Sequence, residues 1–113
     1  MDLKIHFINR IDKTNVGDWQ CSPLNYYYEY FKKYSLICHD IDYVDFNEIE
    51  RDDVIILGGG GLFDVTESFN KNINQLLERC DNVIAWSTGF NTHDDKWSNG
   101  DNFSKISFEK FKL

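Results

Sequence analysis

The chain has 113 residues, a formal net charge of −7, 42% hydrophobic and 16% aromatic residues. That length is one domain, long enough to bury a core without staples. The negative field excludes nucleic acid and anionic lipid as favoured partners, while local backbone N–H groups can still hold a phosphorylated small molecule.

In chain order, Leu3 to Ile8 alternates and predicts the first strand. A polar loop over 9–22 follows, containing Asn15-Val16-Gly17-Asp18. Ser22-Pro23 reads as a helix start, with serine as the cap and proline at the first helical position. Leu24, Tyr27, Tyr28, Phe31 and Ser35 recur at helical spacing, which predicts a largely apolar face. Leu36 to Phe46 holds a second strand interrupted by His39-Asp40 and Asp42, and 47–51 is a turn or helical turn. Val54-Ile55-Ile56-Leu57 is a continuous apolar run, as expected of a strand buried on both faces, and Gly58 to Gly61 follow it. Asp64 with Glu67 resembles a capping box, and Phe69, Ile73, Leu76, Leu77 and Cys80 then form one helical stripe. Val83 to Trp86 predicts a further buried strand, leading into a loop over Ser87-Thr88-Gly89-Phe90-Asn91. Residues 94–102 are polar and turn-rich, and 103–113 carry no clear period.

Strands alternating with helices call for an α/β fold, a mostly parallel sheet with helices on both faces. Ligands of such sheets bind at the carboxyl ends of the strands. Three loops should therefore converge on one edge: the loop of Asn15, Gly17 and Asp18, the run Gly58, Gly59, Gly60 and Gly61, and the loop of Gly89, Asn91 and His93. The glycine run admits two readings, a backbone cradle for a phosphate or carboxylate and a tight, closely packed turn. It is neither a P-loop, lacking the Gly-Lys-Ser/Thr, nor a dinucleotide fingerprint, since Phe63 stands where the third glycine belongs. His93 is the acid/base candidate by residue type. His6 lies inside the first strand and reads as packed. His39, Asp40 and Asp42 read as a chance cluster in an acidic chain, so no metal site is expected. The exposed part of Tyr26-Tyr27-Tyr28-x-Tyr30 could form a partner surface. Cys21, Cys38 and Cys80 form no Cys-x-x-Cys pair and are expected as free thiols in a reducing cytoplasm. No leader and no transmembrane run is expected.

Three segments together carry a resemblance. They are Asn15-Val16-Gly17-Asp18-Trp19 running into Ser22-Pro23-Leu24, Asp53 through Phe63 with its four glycines, and Val83-Ile84-Ala85-Trp86-Ser87-Thr88-Gly89-Phe90-Asn91. In order and spacing they resemble the N-terminal region of the polysaccharide pyruvyl transferase family, over residues 3 to about 93. The resemblance implies transfer of a ketal-forming pyruvyl group from phosphoenolpyruvate to a sugar hydroxyl, with no further cofactor. It also implies a Rossmann-like half of a two-domain, glycosyltransferase-B-type architecture, here residues 1–93, with 94–113 as a polar loop and C-terminal segment leading toward a second domain. By this resemblance the glycines provide backbone donors, Asn15, Gly17 and Gly89 line the substrate, Asp18 and Asn91 orient hydroxyls, and His93 assists proton transfer. The expected partner is a sugar or other small molecule, with a second copy or partner chain completing the cleft. The competing expectation is a non-catalytic binding or interaction module that retains the fold. Arg10, Arg51 and Arg79 lie in none of the matching motifs, and Ser87-Thr88 departs from the small pair expected there.

Overall fold

The apolar runs at Ile5–Ile8 and Val54–Leu57 become the two central strands of an all-parallel sheet. The computed structural model describes residues 3–11, 22–63, 67–86, 88–90 and 108–112. Along them run β1 (Lys4–Asn9), α1 (Pro23–Phe31), β2 (Ser35–Asp40), a 3-10 turn (Phe46–Glu48), β3 (Val54–Leu57), β4 (Gly60–Phe63), α2 (Glu67–Arg79), β5 (Asn82–Ala85), β6 (Thr88–Phe90) and a second 3-10 turn (Phe108–Lys110). The main sheet has the order β2-β1-β3-β5, and β4 and β6 form a separate two-stranded sheet.

The registers are continuous: Ile8 faces His39 on β2 and Leu57 on β3, and Leu57 in turn faces Ala85 on β5. Five successive residues of β1 are buried, whereas the edge strands β2 and β5 are buried at single positions. This is the pattern of strands covered on both faces at the centre of a parallel sheet. The crossover β1-α1-β2 steps one way from β1, and β3-α2-β5 steps the other way. Right-handed crossovers place helices of opposite step on opposite faces. Accordingly α1 packs Leu24 and Phe31 against Ile5, Phe7 and Ile56, while α2 packs on Ile8, Ile55, Leu57 and Val83.

The predicted α2 stripe is buried throughout, with Phe69, Ile73, Leu76, Leu77 and Cys80 all at or below 5% exposure. The predicted α1 face is only partly realised. The helix kinks at Tyr27, where φ is −122° and ψ 24°, and ends at Phe31. That break in the 3.6-residue repeat turns Tyr28 outward, while Tyr27 keeps contact with the sheet through the Trp86 ring at 5.4 Å. Ser35, expected at the end of the same stripe, opens β2 instead. Residues 108–112 return to the free side of β5, where the Lys112 N–H donates to the Val83 carbonyl at 2.7 Å and Phe111 packs on the α2-side core. The capping residue proposed at Asp64 lies outside the described residues. Among the described residues no helix is long and apolar enough to cross a membrane.

Candidate functional site

Because the main strands are parallel, the chain leaves β1 at Asn9, β3 at Leu57 and β5 at Ala85 along one edge. The strand order reverses between β1 and β3, since β1 connects outward to β2 while β3 lies on its other side. Such a switch point opens a crevice between the two diverging connections, where ligands of α/β sheets sit. The glycine run leaves β3 at this place.

Gly58 and Gly59 are both buried and are joined by a cis peptide bond. Gly58 has φ +139°, a backbone conformation that side chains disfavour, and its N–H donates to the Ile8 carbonyl at 2.9 Å. A Cβ there would collide with the Trp86 carbonyl oxygen and approach Thr88 Oγ1 to 2.5 Å. At this glycine the structure therefore displays the close-packing role, with the exit of β5 in the space a side chain would need. The Trp86 N–H and the Thr88 hydroxyl both donate to the Leu57 carbonyl, at 2.8 and 2.6 Å, and so lock the exits of β3 and β5 together.

Gly60 and Gly61 do not enter the helix directly, as the sequence had suggested. They form β4, which pairs in parallel with β6, placing Gly60 opposite Thr88 and Gly61 opposite Gly89. Two of the three predicted loops are thus side by side as a short sheet above the strand ends. Residues with little or no side chain carry no period, so the pairing left no pattern to read. Asn15, Gly17, Asp18, Asn91 and His93 lie outside the described residues.

On the other side of the β1 exit, Asn9, Ile11, Ser22, Leu24, Asn25 and Cys38 line a cavity of about 140 Å³. Ser22 caps α1 from an extended conformation, with its Oγ accepting from the Leu24 N–H at 3.4 Å. The volume suits a phosphate- or carboxylate-sized group and falls short of the roughly 300 Å³ at which pockets for larger ligands begin. A larger hollow of about 490 Å³, lined by Lys71, Asn74, Gln75, Glu78 and Arg79, lies along the solvent side of α2, away from the strand ends. Its lining is the solvent-facing flank of one helix, with none of the strand-end residues.

A second polar arrangement lies within the sheet on its α2 face. His6 Nε2 is 2.8 Å from Asp53 Oδ2, and His6 Nδ1 is 2.9 Å from His39 Nε2. Asp53 Oδ2 also accepts the Glu50 N–H at 3.0 Å and lies 3.6 Å from Lys4 Nζ. Burial acts to raise the Asp53 carboxyl, but the Glu50 N–H, the His6 ring and the Lys4 charge outweigh it and hold the group below its ordinary value. For His39, burial and the neighbouring His6 hold the imidazole below its ordinary value, against the opposing pull of Glu48 and Asp45. Asp40 and Asp42 do not join this line: Asp40 Oδ1 accepts the Asp42 N–H at 3.0 Å in a turn. Among the described residues no group of three or more histidine, cysteine or carboxylate side chains could hold a metal ion. Sequence reasoning placed His6 as packed and missed its partners. The available signal was His6 as the one polar residue amid the apolar run of β1, with Asp53 directly before the next such run.

Compared with known proteins, the chain matches no family model, no curated protein and no solved structure.

Proposed function

We propose that this chain is the N-terminal, Rossmann-like half of a polysaccharide pyruvyl transferase-like enzyme, acting in the cytoplasm on phosphoenolpyruvate and a sugar hydroxyl. The observation that supports this most is the β2-β1-β3-β5 order, which sets the glycine-rich exit of β3 beside the switch point and pairs it with the Thr88–Phe90 segment. In this reading the backbone of Gly59, Gly60 and Gly61 faces the ligand, while Gly58 holds the turn in place. Gly89, Asn15 and Gly17 line the same cleft, Asp18 and Asn91 orient hydroxyls, and His93 moves the proton. A second domain or a partner chain closes the cleft.

Calorimetric titration of the folded chain with phosphoenolpyruvate, and separately with a nucleotide sugar, tests the reading. Binding heat with at least one of them is the expected result. Silence with both, from a sample shown to be folded, would point to a non-catalytic interaction module or to a site that forms only with the second domain or partner chain. One feature favours the interaction module: Tyr26 and Tyr30 on α1 are 71% and 73% exposed. Nucleic acid is not the partner in either case, given the net charge of −7.

A further inference from the structure

Three titratable side chains cross the sheet in a line that the proposed cleft does not use. Asp53 stands directly before β3, His6 is on β1 and His39 is on β2; they are 5%, 0% and 5% exposed. All three lie on the α2 face, level with Ile8, Ile55 and Ile41.

The proton positions follow from the partners. Asp53 Oδ2 takes the Glu50 N–H at 3.0 Å and has Lys4 Nζ at 3.6 Å, so it is an ionised acceptor. His6 Nε2, 2.8 Å away, therefore donates. A neutral imidazole has one donor and one acceptor nitrogen. Neutral His6 thus offers Nδ1 as an acceptor, and His39 Nε2 donates to it across 2.9 Å. One extra proton fits this chain. It sits on His39 Nδ1, or on His6 Nδ1 with His39 Nε2 turned acceptor. A second does not fit, because both facing nitrogens would then carry hydrogens at hydrogen-bond distance and two cations would be buried side by side.

The charged and titratable surroundings leave this limit in place. On β1 stands Lys4, whose ammonium also donates to the Glu48 carbonyl at 3.1 Å. The segment between β2 and β3 brings Asp45 and Glu48 toward His39. The end of α2 brings Cys80, which senses Asp53, and Arg79, which donates to the Phe46 carbonyl at 3.1 Å. Asp45 and Glu48 favour the first proton on the pair, and none of these groups can accept a hydrogen from between the two rings.

We propose that Asp53, His6 and His39 form a proton-operated latch, which holds the edge strand β2 to the sheet while the histidine pair carries at most one extra proton and releases it on taking up the second. β2 is the element that yields because, among the described residues, it pairs with β1 alone and lies at the edge of the sheet. Beyond β2, Ile41 and Ile49 enter the core, and the Asn72 side-chain amide donates to the Ile41 carbonyl at 2.7 Å. Release of β2 therefore loosens the path from Ser35 to Ile49 while β1, β3 and β5 stay paired.

The test is a nitrogen-15 NMR titration of the whole chain from about pH 8 to about pH 5, following the rings of His6 and His39 together with amide exchange in β2 and β3. The two rings should share a single proton while the β2 amides stay protected, and β2 should lose protection before β3 as the second is taken up. With one proton on the folded pair and two on the unfolded pair, the unfolding constant should rise by about tenfold per pH unit well below about pH 6.5. His39→Gln keeps an N–H for His6 Nδ1 but takes no proton, and should flatten that dependence; His93 is common to both proteins and drops out of the difference. Independent titration of both rings in the ordinary histidine range with β2 protection unchanged would overturn the latch, as would an undiminished slope in His39→Gln. If the variant does not fold, the native titration decides alone.

Discussion

The two faces of the main sheet are built on different principles. Under α1 the face is apolar and aromatic: Phe7 meets Phe31 edge-on at 5.1 Å, Phe31 meets Trp86 at 6.2 Å, and Ile5 and Ile56 fill the remainder. Under α2 a larger, mainly aliphatic cluster surrounds the Asp53–His6–His39 line. One face depends on shape and area removed from water, terms that involve no titrating group. The other combines the same terms with a hydrogen-bonded chain, whose contribution turns on proton count and on every member keeping its partner. Continuous apolar strands at the centre of a sheet can therefore carry a polar thread, provided that its charged end is anchored. Here Lys4 and the Glu50 N–H close it at Asp53.

The largest expected effect breaks the apolar face. Phe7→Ala should destabilise the domain by about 3–5 kcal/mol through lost transfer energy and an unfilled cavity. The cost should be the same at about pH 7.5 and about pH 5.5, because its packing partners carry no group that titrates there; urea unfolding at the two values checks this, and a cost that halves in acid would contradict the division between the faces.

Asp53→Ala breaks the polar thread at its anchor. It leaves the His6 Nε2–H and the Glu50 N–H without their acceptor, at a cost of about 2–4 kcal/mol near neutral pH. Asp53 titrates below its ordinary value in the folded protein, so its contribution is complete above about pH 3.9 and is lost as pH falls through the folded value. The gap between native protein and variant should therefore persist at about pH 5 and close only in stronger acid. His39 works in a separate window: its folded value is also lowered, so the native fold holds its stability above about pH 6.5 and loses it as pH falls below. Urea titrations across both windows separate the two groups, and a gap already closed at about pH 5 would show that Asp53 is not the anchor.

The smallest effect sharpens the comparison at the rim. Lys4 is one-third exposed and 3.6 Å from Asp53, so Lys4→Met should cost only about 0.5 kcal/mol, less in high salt. A loss near that of Asp53→Ala would place the closing charge, rather than the buried hydrogen bonds, at the centre of the thread.

The elements with a strong period were legible in the residues alone. The α2 stripe from Phe69 to Cys80, the helix start at Ser22-Pro23 and the buried run Val54–Leu57 all stand where periodicity and capping placed them. The candidate edge was legible in part, because parallel strands bring the exits of β1, β3 and β5 together whatever their order. Other features had no local signature. Gly60 and Gly61 have no side chains to alternate, and the kink at Tyr27 interrupts a spacing that looked regular.

By itself the sequence determined the α/β class, the face that α2 buries and the positions of the central strands, because those depend on periodicities carried by neighbouring residues. Only the tertiary structure decided that β3 lies beside β1 with β2 on the far side, that Gly58 yields its side-chain space to Trp86 and Thr88, and that His6 meets partners 33 and 47 residues away. Strand order and hydrogen-bond partners across strands are set by which distant surfaces complement one another, and no local pattern encodes that choice.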